Sequence, residues 1–159
     1  MDSPTTVAPI PPGYTSLTPF LVVDGARAAI EFYTAVFGAT VVSVMDGPDG
    51  TVAHAELDFG NGRLQLSDPN PKFGLVAPPG GPGVSHSTCL YCSDVDAVVQ
   101  RATERGAVLR EEVSTFVTGD RFGSMVDPFG QRWTIMTRVE DVSKEEVDRR
   151  LAAWAGDNL

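Results

Sequence analysis

Three places in the chain carry residue types that do chemistry. His54-Ala55-Glu56 sets an imidazole and a carboxylate two positions apart, and on an extended strand such residues point the same way. An imidazole beside a carboxylate can act as a general acid and base pair. The same two residues also suit a solvated rim with no chemistry, and the sequence leaves both readings open. Arg121, in Gly119-Asp120-Arg121-Phe122-Gly123, offers a planar fork to an anionic substrate, or else is neutralised internally by Asp120 or Glu112. Cys89 and Cys92 are the two cysteines and form a CxxC. Their run, Thr88-Cys89-Leu90-Tyr91-Cys92, reads as a strand, on which positions i and i+3 face opposite ways, so two unrelated half-buried thiols are expected rather than a redox or zinc pair.

The elements that position these residues follow from the apolar periodicity. Residues 1–14, rich in Pro, Thr and Ser, form a flexible lead-in. Thr15 to Val23 is extended and apolar, Ala26–Phe37 repeats Ala29, Ile30, Tyr33 and Phe37 at helical spacing, and Gly38 suits a C-cap. Strands follow at Thr40–Val44, Thr51–Phe59 and Arg63–Ser67, the last two joined by Asn61-Gly62. A Pro/Gly-rich connection at 69–84 carries Phe73, either a lid over a ligand or an aromatic tucked onto the body. The order then repeats: strand Ser87–Cys92, helix Asp94–Arg105 ending at Gly106, strand Val108–Glu112, and Phe122–Asp127 turning through Pro128-Phe129-Gly130 into Arg132–Met136.

A shift of 68 to 70 positions superposes the halves: Asp24 on Asp94, Gly38-Ala39 on Gly106-Ala107, and Arg63-Leu64-Gln65-Leu66 on Arg132-Trp133-Thr134-Ile135. The expected fold class is therefore α+β, with two βαβββ modules, about 15–68 and 85–138 within one domain at 15–138, and a C-terminal amphipathic helix and tail at 139–159. Pairing two such sheets can enclose a cavity. The tail opens on the capping box Ser143-Lys144-Glu145-Glu146, and Val147, Leu151 and Trp154 share one helical face for docking on the body or on a second subunit.

Composition limits the partners. With 12 Lys+Arg against 21 Asp+Glu the formal charge is -9, which opposes binding to nucleic acid or to an anionic membrane. No run approaches the length of a membrane span, and the N-terminus lacks the charged and apolar regions of a secretory signal. A cytoplasmic location is expected.

Two βαβββ modules, with Phe32-Tyr33 in the first helix and Asp127-Pro128-Phe129-Gly130 before the last strand, resemble the vicinal oxygen chelate superfamily. Its members include glyoxalase I, extradiol dioxygenases, fosfomycin-modifying enzymes and bleomycin-sequestering resistance proteins. Pro19-Phe20-Leu21-Val22-Val23-Asp24-Gly25-Ala26, His54-Ala55-Glu56-Leu57, Gly119–Gly123 and Val139–Ser143 look like its PhnB-like branch. In the superfamily's metalloenzymes a His/Glu set sits on the first and last strand of each module. The resemblance puts Thr18, Gln65, Ser87 and Thr134 at those four places. All are neutral and weak as ligands, so no metal and no cofactor are expected, save for a displaced site on His54 and Glu56.

If those four residues face the cavity, alternation adds Phe20 and Val22, Cys89 and Tyr91, and Arg132 and Met136, while Leu21, Val23, Leu64, Leu66, Leu90, Trp133 and Ile135 face the helices. Met125 is taken as a further soft wall. Aromatic and soft groups with a few polar ones suit a small-molecule pocket. Two classes of function follow. The first is a binding protein for a small aromatic or hydrophobic molecule; the second is a glyoxalase-type lyase or isomerase using a displaced metal or His54 and Glu56. The resemblance implies a homodimer under either.

Overall fold

The computed structural model describes residues 7–81 and 83–158. Residues 1–6 of the expected lead-in, Pro82 in the connection and Leu159 at the tail lie outside the described residues. The chain divides into two compact units, Met1–Ala77 and Pro78–Leu159.

The first unit runs β1 (Phe20–Val22), α1 (Ala26–Phe37), β2 (Thr40–Asp46), β3 (Val52–Asp58) and β4 (Arg63–Ser67). Its sheet has the order β1-β4-β3-β2. The pair β1/β4 is parallel because α1 carries the chain across the sheet between β1 and β2, while β2/β3 and β3/β4 are antiparallel hairpins. β1 is shorter than the expected Thr15–Val23. Pro19 has no N–H to offer a ladder, and Thr15 Oγ1 turns back to donate to the Leu17 carbonyl at 2.7 Å.

The second unit repeats the plan with β5 (Thr88–Tyr91), α2 (Val95–Glu104), β6 (Val108–Thr115), β7 (Asp120–Val126) and β8 (Arg132–Arg138), in the order β5-β8-β7-β6. The repeat extends to register. Phe20 pairs with Gln65 as Cys89 pairs with Thr134. The first bulge falls between Val41 and Ser43 in β2 and between Leu109 and Glu111 in β6. These two-module features are the βαβββ fold expected from the sequence.

Each sheet has one face under its helix and one face free of it. α1 buries Ala26, Ala29, Ile30, Phe32, Tyr33 and Val36, and the sheet answers with Leu21, Val23, Ala55, Leu57, Leu64 and Leu66, all buried. In the second unit Val95, Val98, Val99 and Ala102 of α2 meet Met125, Trp133 and Ile135. Each fully buried Leu, Ile or Met in such a layer contributes about 1.5–3 kcal/mol. The helix ends obey the sequence: Gly38 follows α1 with φ 71° and Gly106 follows α2 with φ 95°, left-handed positions that suit glycine.

The turn before β8 is built around one side chain. Asp127, almost fully buried, accepts from the backbone N–H groups of Phe129 and Gln131 and from Trp133 Nε1, each at 2.9 Å. Beyond β8 the chain crosses Gly119, whose carbonyl accepts from Val139 N and Glu140 N; a Cβ there would meet the Glu140 carbonyl at 2.7 Å. α3 (Lys144–Asn158) follows, with Ser143 Oγ accepting from Glu146 N at 3.3 Å. Trp154 meets Phe116 edge to face at 5.3 Å, and Arg150 clasps Glu140 at 2.7 and 2.8 Å, so α3 docks on its own unit. No helix among the described residues is long and apolar enough to cross a membrane.

Candidate functional site

On the helix-free face of the first sheet, alternation gathers His54 and Glu56 of β3 with Arg63 and Gln65 of β4 and Phe20 of β1. Glu56 and Gln65 face each other across β3/β4. Glu56 is the hub. Its carboxylate lies 3.6 Å from His54 Nε2, 3.5 Å from Arg63 Nη1 and 3.4 Å from Gln65 Nε2. Tyr14 reaches over the sheet from the lead-in: its hydroxyl accepts from Gln65 Nε2 at 3.4 Å, and the Arg63 guanidinium sits 4.6 Å from its ring centroid. The Tyr14 hydroxyl is the largest influence holding the Glu56 carboxyl below its ordinary range; His54 and Arg63 add to it and burial opposes it. Phe20 packs against the His54 ring at 5.8 Å and stays 41% exposed.

The helix-free face of the second sheet is softer. Cys89 and Tyr91 of β5 register with Thr134 and Met136 of β8, and Phe122 and Ser124 of β7 register with Met136 and Thr134. Tyr91 is 58% exposed and its hydroxyl donates to Asp120 at 3.3 Å. Ser87 Oγ and Thr134 Oγ1 are hydrogen-bonded at 2.9 Å. Arg132 donates to Glu111 at 2.9 Å and to Ser124 at 3.0 Å, and Ser124 in turn donates to Glu111. Both sheets therefore carry an arginine–carboxylate pair on this face, with a strand exchange: Ser43 opposes Glu56 in the first sheet, and Glu111 opposes Ser124 in the second.

Two expected site residues lie elsewhere. Met125 is fully buried and registers with Trp133, so it belongs to the layer under α2; Ser124 is its neighbour on the helix-free face. Arg121 registers with Thr137, also on the α2 side, and is held by Asp96 through two bonds of 2.7 and 2.6 Å. Neither Asp120 nor Glu112 is its partner there, because Asp96 sits in the first turn of α2 directly above it, and the guanidinium holds the Asp96 carboxyl below its ordinary range. Thr18 lies just before β1 and bonds locally to the Thr15 carbonyl at 3.4 Å. Phe73 sits in a short 3-10 turn, Pro71–Phe73, closed by an Asn70/Leu75 bridge, and is 78% exposed rather than tucked. Cys89 is exposed on the helix-free face, whereas the Cys92 thiol lies 3.7 Å from Thr137 Oγ1.

Sequence reasoning passed over Tyr14, Arg63 and Glu111. Arg63 was legible, since it alternates with Gln65 and superposes on Arg132. Tyr14 gave no signal, because nothing in an irregular lead-in says which strand it will cross. Among the described residues, no three of His, Cys, Asp and Glu converge as a group able to hold a metal ion.

The fold and these faces define a class. A family model, the Glyoxalase/Bleomycin resistance protein/Dioxygenase superfamily, matches residues 14–135, and the chain belongs to that superfamily. It is 33% identical over 141 residues to an uncharacterized protein of Mycobacterium bovis, covering 87% of this chain and 93% of that one. Similar solved structures include the protein PA1353 of Pseudomonas aeruginosa, with a TM-score of 0.65 and 20% identity over 78% of this chain and 98% of that one. Another is a putative 3-demethylubiquinone-9 3-methyltransferase, the PhnB protein of Bacillus cereus, at 0.61 and 21% over 77% and 99%. The structural likeness is one of fold, and it includes the PhnB-like proteins.

Proposed function

We propose that the protein binds a small aromatic or hydrophobic molecule on the helix-free faces of its sheets, without a metal ion. The observation that carries this reading is the exposure of Tyr91 and Phe20 beside soft groups on faces that no helix of their own module covers. Apolar walls with a few fixed polar groups are what such ligands need. The donor chemistry supports the metal-free part. Thr18, Gln65, Ser87 and Thr134 are neutral, Ser87 and Thr134 bond to each other, and the Gln65 amide is engaged by Tyr14 and Glu56. A divalent cation needs several anionic or imidazole donors, so these four residues do not fit one.

The second reading, acid/base catalysis of the lyase or isomerase type, rests on His54 standing 3.6 Å from Glu56. Against it, Glu56 is shared with Arg63 and Gln65, and a carboxylate kept ionised by several donors is a weak base. A homodimer in the cytoplasm completes the proposal. Two free thiols, Cys89 and Cys92, suit a reducing compartment, and a monomeric mass by light scattering would remove the dimer.

The test is a fluorescence screen of small aromatic ligands against the wild type, Tyr91→Ala, Phe122→Ala and His54→Ala. Loss of at least about ten-fold in affinity for the first two, with His54→Ala largely unaffected, supports binding. Turnover of a glyoxalase-type substrate that vanishes in His54→Ala would instead establish the enzyme.

A further inference from the structure

We propose that Tyr14 is a displaceable stand-in for a hydroxyaromatic ligand, and that the helix-free face of the first sheet is a binding site for phenols. This rests on the reading above, that such faces take small aromatic molecules, and adds the ligand's chemical class.

Each part of the Tyr14 side chain has a partner on the sheet. The ring lies under the Arg63 guanidinium at 4.6 Å, a cation–π arrangement. The hydroxyl accepts from the Gln65 amide at 3.4 Å, and the same amide lies 3.4 Å from the Glu56 carboxylate. An amide donor on the hydroxyl, a carboxylate acceptor beside that amide and a cation against the ring suit a phenol. A benzoate in the same place would set its charge against Glu56, and an unsubstituted ring would leave both polar partners unanswered.

The residue in this place comes from a segment outside the sheet. Tyr14 closes a turn on the Pro11 carbonyl at 3.1 Å, and Gly13, at φ 84°, lies so near the sheet that a Cβ on it would meet Arg63 Nη2 at 2.9 Å. The partners around it are engaged loosely. Gln65 to Tyr14 and Gln65 to Glu56 are 3.4 Å, and Arg63 to Glu56 is 3.5 Å, beyond the 2.7–3.2 Å at which such bonds are usually made. Among the described residues Arg63 Nε is buried without a hydrogen-bond partner, with Asp58 Oδ2 at 4.0 Å. A free phenol, not tethered through Gly13, can approach these groups more closely than Tyr14 does.

The experiment is an NMR titration of the full chain with 4-methylphenol and with toluene. Tyr14→Ala should bind 4-methylphenol at least about ten-fold more tightly than the wild type. Toluene should show no such gain, and Glu56→Ala in the same background should remove it. Tyr14→Phe, which keeps the ring in place, should bind 4-methylphenol no better than the wild type. If Tyr14→Ala does not fold, Gly13→Ala, which is strained at φ 84° and crowds the Arg63 guanidinium against which Tyr14 packs, carries the same expectation. No gain for 4-methylphenol in a folded variant overturns the proposal. Equal gain for toluene overturns the phenol preference while leaving aromatic binding intact. Failure of the broader reading would appear separately, as absence of any aromatic ligand responding to Tyr91→Ala and Phe122→Ala.

Discussion

Thr137 in the second unit stands where Asp68 stands in the first, each capping the helix of its own module from the end of its last strand. Asp68 Oδ1 accepts from Gly25 N and Ala26 N at 2.9 and 3.0 Å, and its Oδ2 accepts from Val52 N at 2.7 Å. Thr137 Oγ1 accepts from Val95 N at 2.9 Å and donates to the Cys92 carbonyl at 3.0 Å. The carboxylate serves three N–H groups and the hydroxyl one. Asp68→Ala should therefore cost about 2–3 kcal/mol and Thr137→Val about 1 kcal/mol. Urea unfolding of the two variants checks the order, and equal losses would contradict the capping account.

Removal of metal should change nothing. Ser87 and Thr134 satisfy each other, and the corresponding residues of the first sheet, Thr18 and Gln65, have protein partners. Dialysis against a strong chelator is expected to leave the melting temperature and aromatic-ligand affinity unaltered, and mass spectrometry of the purified protein should find no stoichiometric metal. A stoichiometric ion whose loss lowers the melting temperature would overturn the metal-free reading.

Acid stability should depend on Tyr14. Its hydroxyl is the largest influence depressing the Glu56 carboxyl in the folded state. A depressed carboxyl stabilises the fold above its unfolded value and loses that contribution as pH falls through the folded value. Tyr14→Phe returns Glu56 toward its ordinary value of 4.5. The stability advantage of wild type over Tyr14→Phe should be constant above that pH and shrink as pH falls below it. Thermal melts across the range, with NMR titration of the Glu56 carboxyl, test both halves.

Arg121 should be silent in ligand binding. It lies on the face under α2 and is paired with Asp96, so Arg121→Gln should change affinity for any anionic or aromatic ligand by less than about two-fold. Its effect should fall on the seating of α2, read as faster amide exchange in the first turn of that helix. A ten-fold loss of anion affinity would restore the substrate role that the sequence left open.

Much of this arrangement was written in the sequence. The internal repeat, the α+β class, the glycines after both helices and the helix-facing side of β1, β4 and β8 follow from apolar period and from one superposable shift. Leu21, Val23, Leu64, Leu66, Trp133 and Ile135 are buried as alternation requires, because a strand with one clearly apolar set has only one phase that buries it. His54, Glu56 and Gln65 share a face for the same reason. Tertiary structure decided the rest. The run Asp120–Val126 has no clean alternation of its own, so its phase is set by pairing with β8, which puts Met125 opposite Trp133 under the helix and Ser124 opposite Thr134 on the free face. For Arg121 the sequence offered Asp120 or Glu112, and the crossing of α2 over β7 supplied Asp96 instead. Tyr14 lies fifty-one positions from Gln65, in a segment without periodicity, and its place over Gln65 and Arg63 is a long-range contact that local spacing does not encode.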